Sequence, residues 1–188
     1  GHLYMLANTA DRINLQEMKN RSISEEEWLK VTLSNTEGNI HAADFFSGML
    51  DLSQNTGSMT LKRGTARFDL SIRTLKSVQV EQVVLKNMTK QSYLFQQNPV
   101  SAPENETVQD IATDFPQALE TSTEGIAYVY EQSGTDLKVC IKMKVEGQSR
   151  TVEANLPAIL KRNTVYTLNI GTDPVTTDIT LSVIEWED

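Results

Sequence analysis

Apolar and polar positions alternate at period two along most of the chain, the pattern of strands with one face buried and one face wet. It is cleanest where Leu137, Val139, Ile141, Met143 and Val145 interleave with Lys138, Cys140, Lys142 and Lys144, an apolar row backed by a largely cationic one. Gly147-Gln148 supplies a turn and Val152, Ala154 and Leu156 resume the alternation, so residues 137–156 are predicted to form a hairpin. An earlier segment repeats the pattern: Ala66, Phe68, Leu70 and Ile72 alternate with Arg67, Asp69, Ser71 and Arg73, followed by Val78, Val80 and Val83-Val84-Leu85. The change of phase between Val80 and Val83 predicts a bulge or a bend. Further strands are predicted at residues 3–7, 59–62, 126–131, 165–170 and 179–186, where β-branched and aromatic residues dominate.

Helix signals are few. Ser24 and Glu27, with Glu25 and Glu26 between them, form a capping box leading into Trp28, Leu29 and Val31, which predicts one short helix near residues 24–32. A further turn is expected at residues 15–19, and another at 157–161 with Pro157 at its start. The fold class is therefore all-β with one or two short helices. Between residues 96 and 123 the periodicity fades, and Pro99, Pro103, Glu104, Glu106, Asp110, Asp114 and Pro116 mark an acidic, proline-containing stretch. The chain is accordingly divided into a domain at 1–96, a linker at 97–123 and a domain at 124–188.

Charge narrows the function classes. The 188 residues carry 17 Lys and Arg against 25 Asp and Glu, a formal net charge of −8. A phosphate-binding surface needs clustered cations, so nucleic acid is not an expected partner. No apolar run approaches the roughly 20 residues of a spanning helix. The single cysteine, Cys140, allows no internal disulfide. Gly1, without an initiator Met, reads as the scar of a cleaved tag, so a signal peptide or a lipid-carrying cysteine would have been lost with what preceded it.

The residues offer little catalytic chemistry. The histidines are His2, beside that scar, and His41, and one cysteine with them makes no zinc set. Nucleophile-elbow, phosphate-loop and dinucleotide motifs are missing. Cys140 lies mid-strand near Lys138 and Lys142 and is assigned a packing role. Glu25, Glu26 and Glu27 are explained by helix capping, and Asp110, Asp114, Glu120 and Glu124 by a solvated linker. Trp28, Tyr93, Phe95, Tyr128, Tyr130, Tyr166 and Trp186 would suit sugar stacking, but their place in periodic segments assigns them to core and cross-strand packing. No catalytic, cofactor-binding or metal site is expected, and the chain is read as a non-enzyme.

An ordered set of segments resembles the Bacteroidales fimbrillins, subunits of the type V pilus. They are Leu3-Tyr4-Met5-Leu6-Ala7-Asn8, Phe45-Phe46-Ser47-Gly48, Leu61-Lys62-Arg63-Gly64-Thr65-Ala66-Arg67-Phe68-Asp69-Leu70 and Val83-Val84-Leu85-Lys86-Asn87 with Ser92-Tyr93-Leu94-Phe95. Tyr128-Val129-Tyr130-Glu131, Leu160-Lys161-Arg162-Asn163-Thr164-Val165-Tyr166-Thr167-Leu168 and Val183-Ile184-Glu185-Trp186 complete the set, which spans nearly the whole chain. Two departures stand out: the strands that usually precede the segment matched by residues 3–8 are missing, and Phe45-Phe46 stands where Pro-Met is common. The chain is expected to be a trimmed fragment or a short relative, with an incomplete first domain.

The resemblance implies two transthyretin-like β-sandwich domains and a structural role in a cell-surface fimbria that mediates adhesion. Partners would be other subunits, joined by strand exchange into a groove opened by proteolysis, together with host or bacterial surface ligands. Location would be extracytoplasmic, at the cell surface, fimbrium or outer membrane, with any membrane contact made through a lipid anchor outside this chain. The apolar row Ala66, Phe68, Leu70 and Ile72, with Val78 and Val80, is the expected acceptor groove, and Arg63 and Arg67 are expected to hold the strand and its turn. The rival readings are a surface-exposed lipoprotein module binding carbohydrate or protein, and a β-rich glycoside hydrolase with two facing carboxylates about 5–10 Å apart.

Overall fold

Strands from both halves of the chain share the same two sheets. The computed structural model describes all residues except 36–37, 54–56, 105, 173–176 and 187–188. The first stretch contains β1 (His2–Ala7), α1 (Leu15–Arg21), α2 (Glu25–Leu29), β2 (Thr32–Ser34), β3 (Phe46–Asp51) and β4 (Lys62–Arg63). Then come β5 (Thr65–Ile72), β6 (Val78–Thr89), β7 (Gln91–Tyr93), β8 (Val108–Leu119) and β9 (Thr123–Tyr130). The last third supplies β10 (Gln132–Ser133), β11 (Lys138–Val145), β12 (Gln148–Asn155), β13 (Ile159–Leu160), β14 (Thr164–Thr172) and β15 (Thr177–Glu185).

Two four-stranded sheets, ordered β12-β11-β6-β8 and β15-β14-β5-β9, form the layers of a sandwich. All pairings within them are antiparallel except β5 with β14, which run parallel and match Phe68 to Tyr166 and Leu70 to Leu168. The inner rows interdigitate as the main core, with Ala66, Phe68 and Leu70 of β5, Val139, Ile141 and Met143 of β11, and Tyr166, Leu168 and Ile170 of β14 all buried. The rings of Phe68 and Tyr166 stack at 5.2 Å across the parallel pair. Each of the larger aliphatic and phenylalanine side chains contributes roughly 1.5–3 kcal/mol on burial. The phase change in β6 is a bulge: Lys142 pairs with Gln82 and Met143 with Val80, leaving Glu81 unopposed.

A smaller core caps one side of the sandwich. Leu33, Phe45, Leu94, Phe95 and Tyr130 are buried there, with Tyr4, Leu6, Trp28 and Leu29 packed around them. Tyr130 comes from β9, so the cap is built on a sandwich strand. Sheet β1-β3-β4 and the β2-β7 pair frame it. The Ser24 hydroxyl accepts from Glu27 N–H at 3.2 Å while the Glu27 carboxylate accepts from Ser24 N–H at 2.8 Å, closing the capping box that starts α2. Among the described residues no helix is long and apolar enough to cross a membrane.

The all-β class and the sandwich layering agree with expectation. The division at 97–123 does not: β5 and β6 precede it, β9, β11 and β14 follow it, and they pair in common sheets around one core. What was expected as linker contains β8, an edge strand that fully buries Ile111 and keeps most other residues at or near the surface. Its acids are bonded to β6: Asp110 accepts from Asn87 N–H and Asp114 from the Gln82 amide. Residues 157–161 hold β13, paired with β10, rather than a helical turn. The hairpin turn is Glu146-Gly147, both with positive φ, one residue earlier than expected.

Candidate functional site

The row expected to form an open acceptor groove is closed. Ala66, Phe68, Leu70, Val78 and Val80 are 0–4% exposed and Ile72 is half-buried, all packed within or against the main core. β5 and β6 lie in opposite sheets, and their apolar rows face each other across the sandwich alongside those of β11 and β14. The chain's own strands therefore cover this face.

What the structure assembles instead is a polar junction between sandwich and cap. The short β10-β13 ladder sets Gln132 opposite Leu160 and so brings Glu131 beside Arg162. Arg162 Nε donates to Glu131 Oε1 at 3.2 Å, and the two side chains are only 3% and 2% exposed. Arg162 Nη1 also donates to Leu94 O at 2.9 Å and Nη2 to Tyr93 O at 2.8 Å, tying the segment after β7 to the sandwich. Gln96 donates to the other oxygen of Glu131 at 2.9 Å. Burial pulls the Arg162 pKa down while the charge and hydrogen bond of Glu131 oppose that shift. Asn163, with φ of 53°, turns the chain out of β13 into β14, and its N–H donates to Thr65 O. Beside Arg162 a groove of about 390 Å³ is walled by Leu29, Ser47, Met49, Lys62 and Phe95.

A second constellation fastens the end of β15. Trp186 lies under the guanidinium groups of Arg63 and Arg67, at 4.4 and 5.0 Å, and stacks on Tyr128 at 6.2 Å. Arg63 also pairs with Asp44, which accepts from the Thr65 hydroxyl as well, and Arg67 pairs with Asp69. Both arginines are thus built into the fold.

Neither constellation has the parts of a catalytic centre. Desolvation lowers the pKa of His41, whose ring accepts from Tyr128 N–H at 3.5 Å. Cys140 is half-buried between Val84 and Glu153. Among the described residues no three His, Cys, Asp or Glu side chains converge as a metal cluster. Tyr130, Tyr166 and Phe95 are buried in the two cores, in keeping with a packing role. The Arg162–Glu131 junction had been visible only as part of the fimbrillin-like segment pattern.

No protein-family profile and no curated protein sequence matches the chain. Solved structures do match its fold. The tip fimbrial protein Mfa3 of Porphyromonas gingivalis, with a C-terminal truncation, superposes with a TM-score of 0.64 at 15% identity, covering 98% of this chain and 80% of that one. A proposed cell adhesion protein of Bacteroides eggerthii gives 0.65 at 14% identity, covering 98% and 77%. Another, from Parabacteroides distasonis, gives 0.59 at 16% identity, covering 98% and 75%. The chain therefore has a fimbrillin-like fold.

Proposed function

We propose that the protein is a structural subunit of a cell-surface fimbria that serves adhesion and joins other subunits by strand exchange. The observation that carries this reading is the likeness of the whole sandwich and cap to a tip fimbrial protein, over 98% of this chain. The side chains are consistent with it, since the buried ion pair and the aromatic–cation stack are fastening devices with no reacting group presented. Strand exchange supplies main-chain hydrogen bonds for affinity and alternate side chains for register. Because the row from Ala66 to Val80 is covered by the chain's own strands, it becomes an acceptor only after one of those strands is displaced. The protein would work outside the cytoplasm, at the cell surface, fimbrium or outer membrane, with a lipid anchor as its membrane contact.

The test is to express the full-length precursor, trim it with an Arg-specific protease and look for multimer ladders that resist mild detergent. Ladders are expected; no ladder under any trimming overturns strand exchange. A second reading, a displayed module that binds carbohydrate or protein, draws on an open hollow of about 450 Å³ lined by Tyr4, Met18, Lys19, Glu25 and Trp28. A glycan array probed with the untrimmed chain separates the two: specific binding lost in Trp28→Ala favours the module.

A further inference from the structure

The four edges of the sandwich are not equally protected. An edge strand exposes unpaired backbone donors and acceptors, and stable proteins blunt it with proline, bulges, charges or a covering segment. β8 carries Pro116 and breaks register with β6 twice. β9 contains Gly125 at φ of 66°, breaks register with β5, and is covered by residues 41–43, where Ala42 N–H donates to Tyr128 O at 3.0 Å. β12 carries Arg150 directly opposite Met143, a charge in the middle of its edge.

β15 has no proline, no register break and no charge among residues 179–184. Its nine residues pair with β14 without a register shift, from Thr164 with Glu185 to Thr172 with Thr177. It contains no proline and no lysine, and its charges, Asp178 and Glu185, lie near its ends. Among the described residues no strand pairs with its outer edge, and just beyond it Trp186 N–H donates to Asn163 O. Val183 and Ile184 are 51% and 63% exposed.

We propose that the free edge of β15 pairs antiparallel with β15 of a second copy of this chain, joining two sandwiches about a two-fold axis through Leu181. The strand is complementary to itself in that register. Leu181 meets its own copy, Ile179 meets Val183 and Thr180 meets Ser182, so apolar residues meet apolar and hydroxyls meet hydroxyls. Asp178 falls opposite Ile184 and Glu185 opposite Thr177, so no like charges oppose each other within the pair. The outcome is one continuous eight-stranded sheet, and closure by the two-fold stops growth at a dimer. Each copy carries a formal −8 over its full length, so association strengthens with salt. This inference does not rest on the fimbrial reading, since it concerns the untrimmed chain and needs no displaced strand.

Sedimentation velocity on the intact chain between about 1 and 500 µM is expected to show a reversible monomer–dimer equilibrium. Val183→Lys and Ile184→Lys, each checked for an unchanged melting curve, should weaken it about tenfold or more, while Thr151→Lys on the β12 edge leaves it unchanged. As a register test that does not depend on affinity, Thr180→Cys with Ser182→Cys in a Cys140→Ser background should give a covalent dimer under mild oxidation. A monomer throughout that range, a dimer indifferent to the β15 variants, a series of species larger than a dimer, or no cross-link would each overturn the proposal.

Discussion

Arg162 and Glu131, 31 residues apart in the chain, meet as an ion pair at 3.2 Å with both side chains almost wholly removed from water. Through its remaining donors Arg162 holds the carbonyls of Tyr93 and Leu94, so one guanidinium connects the sandwich to the cap. Removing either partner strands the other charge in a low-dielectric site. Arg162→Met or Glu131→Leu is expected to cost about 3–5 kcal/mol, read from urea unfolding, with the double variant recovering part of that loss.

Phe68 separates a closed core from an open groove. It is buried against Tyr166 at 5.2 Å, so Phe68→Ala should destabilise the chain by about 3–5 kcal/mol. A groove residue waiting for a partner strand would cost well under that, and the same denaturation experiment distinguishes the two.

Gly64 is fixed by the ring of Phe45, since a Cβ at that position would fall 2.0 Å from Phe45 Cζ. The ring is buried in the cap core and has little room to retreat. Gly64→Ala is expected to destabilise by at least about 1–3 kcal/mol, and pairing it with Phe45→Leu should recover part of the loss.

The Tyr4 hydroxyl donates to Glu25, and this bond, with burial and the Glu25 charge, raises the Tyr4 pKa from 10.0 to about 12. The same bond lowers the pKa of Glu25 below its usual 4.5. The contact needs a neutral phenol and an ionised carboxylate. Its stabilisation is therefore complete between the ordinary Glu and Tyr values, is lost upward as pH passes through about 12, and is lost downward as Glu25 protonates. The difference in ultraviolet phenolate titration between the native chain and Tyr4→Phe should show a late-titrating tyrosine, moved toward 10 by Glu25→Gln.

Much of the fold was legible because local pattern and tertiary fate agree. The β11–β12 hairpin obeys strict alternation, the bulge in β6 announces itself as a slip of phase between Val80 and Val83, and the Ser24–Glu27 box starts α2 where its residues require. The division into domains was not legible. β8 resembles a linker because an edge strand with one deeply buried residue, Ile111, has acids and a proline where a central strand would have aliphatics. Alternation also tells which face of β5 is buried but not what covers it. The cover includes β14, a parallel partner nearly a hundred residues later, and no local signal points to it. The Arg162–Glu131 junction escaped for the same reason, being made by a two-residue ladder and the left-handed turn at Asn163.

One sandwich is woven from both halves of the chain, and fragments test this most directly. Residues 1–96 and 97–188 are expressed separately and examined by amide proton–nitrogen correlation spectra, alone and mixed. Because β5 and β6 need β9, β11 and β14 to close the core, neither fragment alone is expected to give the dispersed spectrum of a folded protein. A native-like dispersed spectrum from either fragment by itself would contradict the account.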